Sequence, residues 1–455
     1  MDAYTRPIVP PAPVPHAAAL PTWRRVYEFT RNTLAIWPQS SFEVLVEHGR
    51  SLGIESLLVN DPDGVRHVMV TAAARYRHPV PMARVLRPIV GNGLLLAEGA
   101  GWKQQRRQLA PVFNPASVET LLPHFLASGE AMIRGLSDAA PVQLLRVFDE
   151  TALDAVLRAL FSLPDDEARA PMAAMTRTYM SRHSGSIWDG LARAEADFAF
   201  ASRGRRAFQR QWSGHVDSII AKRRAAAASA PSRDLLSLLL AVRDPETGEP
   251  LTDADVRDQA STMLAAGFGT TARLLFWCGY LLCLDPSTQR RVRREIASFP
   301  PDRVAGLDDL NHWPLLRLVM LEALRLYPPA PHLIRQAVEE DTVLGETIGP
   351  GAQVWMSPWV IHRHHRFWDQ PDAFIPERFA GQTSPWTNGP FMPFGAGPRI
   401  CIGAAFALSE AQIILATLLS RFAISLADDR PVLPVGRLAI SPDHEPDFVL
   451  ERVAV

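Results

Sequence analysis

The sequence predicts a mainly α-helical protein with a small β-rich part. Three observations carry that expectation. From "GWKQQRRQLAPVF" (101–113) to about residue 225, apolar residues recur mostly at helical spacing. A long apolar stretch around 253–285 has helix start and stop signals, and strand-like runs are confined to 42–80 and "TIGPGAQVWMSPW" (347–359).

In chain order, residues 1–22 form a Pro-rich arm, expected to lie extended on the surface or to be partly disordered. Residues 23–455 read as a single domain, since no internal repeat or composition shift divides them. Between 42 and 80, "SLLVN" and "VRHVMV" suggest a few strands. "AKRRAAAASAPSRD" (221–234) reads as an exposed linker between helices. In the helix at 253–285, Thr252 is the cap, Asp255 lies in the first turn and Pro286 follows the end. Such a length means that it crosses the whole molecule. Its middle, "AAGFGTTA", costs about 0.5–1 kcal/mol of helix propensity at each glycine and threonine. Two readings stand: close packing against a neighbouring helix, or a flat ligand lying on the glycines with a threonine hydroxyl facing it. A last helix follows Cys401.

Of the 455 residues 47% are hydrophobic, enough for a sizeable core. A net charge of −1 gives no electrostatic basis for nucleic acid or an anionic membrane as main partner. Positive charge is nearly all arginine, with Lys103 and Lys222 the only lysines. Cys278, Cys283 and Cys401 offer no disulfide framework, and the start lacks a signal-peptide pattern, so a cytoplasmic location is expected. Residues 262–284 are long enough to span a bilayer, but Arg273 near the centre would cost about 3 kcal/mol, and Gly267 and Gly269 add to the case against. No membrane span is expected.

Glu322 and Arg325 sit three apart on a helix with almost no polar face, so the pair is expected to be buried. A buried pair needs further partners, and Arg378 in "PERF" is the candidate third member. Cys401 lies in "FMPFGAGPRICIG" (391–403), far from any second cysteine, which argues against zinc or an iron–sulfur cluster. A nucleophilic role would want a base, and no spacing ties the histidines of "IHRHHRFWD" (361–369) to it. A haem needs only one protein ligand, and a thiolate there promotes O–O cleavage. Gly395 and Gly397 then permit a tight turn and Gly403 a close backbone approach to the porphyrin; the following helix offers N–H groups to the sulfur, and Arg399 is placed to meet a carboxylate.

These stretches resemble the cytochrome P-450 family. "FGAGPRICIG" resembles its cysteine-ligand signature, with Phe, Gly, Arg, Cys and Gly at the family's spacing, and the resemblance places Phe394, Gly395, Arg399, Cys401 and Gly403 at the haem. "EALR" resembles its Glu-x-x-Arg helix, "PERF" its downstream arginine segment, and "GWKQQRRQLAPVF" its helix that binds haem propionates through Trp102 and Arg106. The resemblance covers the chain beyond the N-terminal arm and implies a helical prism with a small β-rich lobe, haem b as cofactor, and Cys401 as axial metal ligand. It also implies propionate partners at Arg335, Arg399 and Arg84. On the long helix, Ala266 and Gly267 would face the haem and Thr270 would be the alcohol beside bound oxygen. The family usually has Asp or Glu before that threonine; here the residue is Gly269.

The implied activity is insertion of one oxygen atom from O₂ into a small hydrophobic substrate, with electrons from NAD(P)H through a ferredoxin and a ferredoxin reductase. The donor is expected to dock around Cys401 and the helix of Lys103, Arg106 and Arg107. About fifty residues follow Cys401, so no flavin domain is expected in this chain. Leu94, Leu95, Ala265, Ala266, Ala330, His332, Leu333 and Leu438 would line the pocket, with His332 either orienting an oxygenated substrate or serving as a satisfied structural histidine. Two alternatives accompany this reading. One is a haem-thiolate enzyme that uses peroxide or rearranges its substrate without O₂, and the other a haem protein that binds a gas or ligand without turnover.

Overall fold

A computed structural model describes residues 7–51, 53–138, 140–162, 170–175, 198–226, 234–386 and 389–453. A helix over Asp253–Leu284 (central helix) forms the axis of the core. Its start is a capping box, in which the Thr252 hydroxyl accepts from the Asp255 N–H and the Asp255 carboxylate accepts from the Thr252 N–H, each at 3.1 Å. Asp285 ends it and caps the next helix, Pro286–Ser298. Around the axis pack the helices Leu144–Phe161, Pro314–Leu326 and Ala404–Arg421. A Cβ at Gly267 would sit 3.2 Å from Val156, and one at Gly279 3.7 Å from Ile424 and 3.9 Å from Leu144 and Phe148. Close helix packing therefore accounts for those two glycines.

The core is rich in large rings. Trp277, Tyr280, Trp313, Tyr327 and Trp359 are all buried, and Trp277 stacks on Tyr327 at 3.9 Å. Such a pair adds about 0.5–1.5 kcal/mol beyond its buried area.

The β-rich part has a separate small core, which includes Leu57, Val59, Val343, Ile348, Val354 and Met356. Its five-stranded sheet has the order β1 (Val46–Ser51), β2 (Ile54–Val59), β7 (Gln353–Met356), β4 (Leu333–Ala337), β3 (Tyr76–Arg77). Only β2 and β7 run parallel. Strands β5 (Asp341–Val343) and β6 (Glu346–Ile348) form a hairpin, and four short strands follow the helix Ala404–Arg421.

Two expectations are corrected. "VRHVMV" is helical: Asp61 caps a short helix at Pro62–Arg66, and a wider turn continues through His67–Thr71. Val65, Val68 and Met69 are all buried, an i, i+3, i+4 stripe. "AKRRAAAASAPSRD" begins inside the helix Phe198–Ala226; residues 227–233 lie outside the described residues. The Pro-rich arm lies against the protein through bridges of Ile8 to Phe374 and His16 to Pro38. Among the described residues two helices, Asp253–Leu284 and Ala404–Arg421, are long and apolar enough to cross a membrane; 67% and 72% of their most apolar windows are buried within the protein.

Candidate active site

The loop before Cys401 is shaped by backbone constraints. Gly395 and Gly397 have φ of +79° and +67°, and a Cβ at Gly397 would lie 2.6 Å from the Met69 carbonyl oxygen. The Cys401 N–H donates to the Phe394 carbonyl at 2.8 Å, closing the turn. Behind it, the Met392 N–H donates to His362 Nε2 at 2.9 Å, and His362 Nδ1 donates to the Arg325 carbonyl at 3.2 Å. Burial, reinforced by the Arg325 charge, pushes His362 down to about 3, so the ring is neutral and can accept.

That histidine ties the loop to a buried ion cluster. Arg325 donates to both Glu322 oxygens at 2.7 Å, and neither side chain is exposed. Arg378 donates to Glu322 at 3.1 Å, as does the Ile375 N–H at 2.9 Å. The remaining Arg325 donors reach the carbonyls of His362, Pro371 and Ala373. All five Arg325 donors thereby have acceptors, the condition under which a buried pair is tolerated.

Cys401 itself is exposed, although the next helix enters the core. Burial raises its thiol pKa, while the Gly403 N–H and the Arg106 guanidinium lower it. A sulfur both accessible and desolvated lines an interior cleft. Gly403 leaves the cleft open: its nearest neighbour to a Cβ would be Phe113 at 4.0 Å.

On the central helix Ala266 and Thr270 are exposed, while Leu264, Phe268, Thr271 and Ala272 are buried. A ledge of two small residues, one turn apart in the middle of a core helix, marks an internal cavity. Thr270 Oγ1 bonds the Ala266 carbonyl at 2.8 Å, which orients its hydroxyl along the ledge. Gly267 turns toward Val156 and Gly269 toward Arg273, so the glycines pack behind the ledge. Arg273 pairs with Asp149 and donates to the Gly269 carbonyl at 3.3 Å. Thr271 donates to Glu410 at 3.1 Å, and burial pushes that carboxyl well above its usual range.

A cationic seat lies beside the Cys401 loop. The Arg399 guanidinium stacks on Trp102 at 4.5 Å and donates to the Ala97 carbonyl at 3.0 Å and to the Glu98 carboxylate. Arg335 is pushed down to about 10 by burial and by the like charge of Arg399, with Glu98 opposing. Its hydrogen bond among the described residues is to the neighbouring Ile334 carbonyl at 3.0 Å. Arg106 feels the Cys401 sulfur but loses basicity chiefly to burial. Two members escaped sequence reasoning. His78 donates to Glu98 through its backbone N–H at 2.9 Å and pairs with it through Nδ1 at 2.5 Å. Twenty residues of loop and helix separate them, and no spacing pattern marks such a contact. The Arg84 side chain lies outside the described residues.

The expected lining divides. Leu95 and Ala265 pack in one small cluster with Leu86, Val90 and Leu96, and Leu94 is held by its N–H to Gln259 at 3.0 Å. Leu333 reaches Gly395, Ala330 is half-buried, and Leu438 is exposed on a hairpin turn. His332 takes the structural reading: its nitrogens bond Ser357 and Thr33 at 3.1 and 3.0 Å, between Trp37 and Trp355. Burial lowers it to about 3, and neither nitrogen is free for a substrate. Arg107 is also committed, to Asp244 at 3.0 Å and Glu246 at 2.8 Å, and Arg106 turns inward, which leaves Lys103 as the exposed cation of their helix.

No group of three or more His, Cys, Asp or Glu gathers among the described residues to hold a metal. One accessible thiol, a buried Arg335 with no carboxylate partner among the described residues, an Arg–Trp stack and a ledge of small residues instead fit a flat dianionic macrocycle that brings its own iron ligands. These features define a haem-thiolate protein. The chain belongs to the cytochrome P450 family, whose profile matches residues 50–445. A cyclooctat-9-en-7-ol 5-monooxygenase of Streptomyces melanosporofaciens is 30% identical, over 90% of this chain and 86% of that protein. Cytokinin hydroxylase of Arabidopsis thaliana is 31% identical, over 80% of this chain and 72% of that protein. The Arabidopsis protein LUTEIN DEFICIENT 5, chloroplastic, is 29% identical, over 82% of this chain and 66% of that protein.

The protein is thus an oxidoreductase, a haem-thiolate monooxygenase. When bound, the haem supplies O₂ activation and transfer of one oxygen atom. Cys401 would hold the iron, with the Gly403 N–H and Arg106 favouring its anionic form. Arg335, Arg399 and Trp102 would hold the haem carboxylates, and Ala266 and Thr270 would lie beside the bound haem. The Thr270 hydroxyl is the proton-bearing group on that ledge.

Proposed function

We propose that this enzyme hydroxylates a small, largely apolar molecule, with electrons from NAD(P)H delivered by a ferredoxin and its reductase. The observation that carries the reading is the Ala266–Thr270 ledge bordered by the Leu86, Val90, Leu95, Leu96 and Ala265 cluster. Such a wall recognises shape and hydrophobic surface and offers a substrate few polar contacts. Compounds of the kind named for the Streptomyces relative, a ring hydrocarbon with one hydroxyl, suit it. With His332 withdrawn from the pocket, a hydroxylated substrate finds the Thr270 hydroxyl as its polar neighbour on the ledge.

Gly269 favours a second reading, turnover driven by peroxide, because the protonating acid of the family is missing beside Thr270. The test is turnover of such ring alcohols by purified holoprotein. Product formed with ferredoxin, reductase and NAD(P)H supports the first reading; product formed only with hydrogen peroxide supports the second. A screen for haem spin-state changes on addition of ligand identifies substrates beforehand.

A further inference from the structure

The cationic seat contains one group of the wrong sign for its task. Glu98, at the start of the helix Gly99–Leu109, places its carboxylate among the side chains that would hold two haem carboxylates. It is bound from two directions. Arg399 donates to Oε2, and the His78 backbone N–H and Nδ1 both meet Oε1, at 2.9 and 2.5 Å. Burial raises its pKa, but the His78 hydrogen bonds and the Arg399 charge outweigh this and bring it to about 2, so Glu98 is ionised at neutral pH.

Three contacts fix Arg399 in one pose: Glu98, the Ala97 carbonyl and the Trp102 ring. Arg335 differs. It is buried, feels the like charge of Arg399, and bonds only the Ile334 carbonyl among the described residues. Two guanidiniums that repel each other would splay without an anion fixed by the protein. A long arginine side chain also has to give up its rotamer freedom before it can bind anything.

We infer that Glu98 is a positioning residue for the haem: it clamps Arg399 on Trp102 and ties residues 76–79 to the helix start, so that the seat is preformed. With haem held by Arg399, the negative charge of Glu98 would also oppose reduction of the iron. Glu98 acts through Arg399 and touches no reacting atom.

The opposite role makes opposite predictions. If Glu98 merely competed with a haem carboxylate for Arg399, removing it would tighten haem binding. The experiment uses haem-loaded protein and follows haem transfer to excess apomyoglobin in wild type, Glu98→Gln, Glu98→Asp and Arg399→Ala. We expect several-fold faster haem loss in Glu98→Gln, recovery of most of the retention in Glu98→Asp, and a more positive midpoint potential in Glu98→Gln by spectroelectrochemistry. Adding Glu98→Gln to Arg399→Ala should accelerate haem loss little further, because the clamp is already gone. Unchanged or slower haem loss in Glu98→Gln overturns the proposal, as does an unmoved potential. The same acceleration in both backgrounds also overturns it, since the effect would not then run through Arg399. Thermal unfolding of the haem-free variants separates a general loss of folding: an acceleration matched by equal destabilisation of the apoprotein counts against the clamp.

Discussion

Glu322→Ala strands the charges that it now joins. Glu322 accepts four hydrogen bonds: two from Arg325 at 2.7 Å, one from Arg378 at 3.1 Å and one from the Ile375 N–H at 2.9 Å. After the substitution Arg325 keeps its three carbonyl partners, but its charge has no counterion in a site with no exposure. Breaking such a buried pair costs about 3–5 kcal/mol. The orphaned Ile375 N–H adds about 1–3 kcal/mol. A domain's net stability is about 5–15 kcal/mol, so the loss consumes much of it. The control is Glu150→Ala, which breaks an exposed i, i+4 pair with Arg146 and should cost under about 1 kcal/mol. Haem-saturated variants are compared by urea midpoint and by the yield of folded holoprotein. We expect little holoprotein from Glu322→Ala and normal yield from Glu150→Ala. A Glu322→Ala midpoint matching that of Glu150→Ala would refute the reasoning, because the pair would then behave as a surface bridge.

Further outcomes follow from the central helix and the buried histidines. Gly269→Glu should be accommodated, since the nearest atom to a Cβ there is Arg273 Nη1 at 3.9 Å, and it should gain about 0.5 kcal/mol or more of helix propensity. Product per NAD(P)H oxidised should rise with substrates lacking a hydroxyl; near-complete coupling in the natural protein with such a substrate would show that position 269 is not needed. His332 and His362 are both depressed to about 3, so below pH 6.5 the unfolded chain binds protons that the folded one refuses. Stability should therefore be fully present above about pH 6.5 and fall with acidification toward pH 3, by about 1.4 kcal/mol per pH unit for each histidine. Urea midpoints between pH 7 and 4 check this, and a flat profile would contradict it.

Legibility in the sequence followed how local the physics was. The capping box of Thr252 and Asp255, and a Glu322–Arg325 pair with no polar face around it, are visible over three or four residues. Arg378 could be joined to that pair because a buried charge demands partners. "VRHVMV" misled because its valines suit a strand, while the Asp61 cap and Pro62 that start a helix lie just upstream. The two readings of His332 could not be separated in sequence, because its partners, Thr33 and Ser357, come from elements distant along the chain. The Glu98–His78 contact likewise exists only once the start of one helix meets the segment before another. Gly267 and Gly269 marked the right turn of the central helix, but their packing behind the Ala266–Thr270 ledge depends on Val156 and Arg273.

The most direct test of the account is the absorption spectrum of the reduced protein under carbon monoxide, taken for the natural chain and for Cys401→His. Thiolate ligation by Cys401 predicts a strongly red-shifted Soret band in the first and its loss in the second, together with loss of oxygenation. A red-shifted band and product formation that both survive the substitution would contradict the assignment of Cys401 as the iron ligand, on which the reading of the site depends.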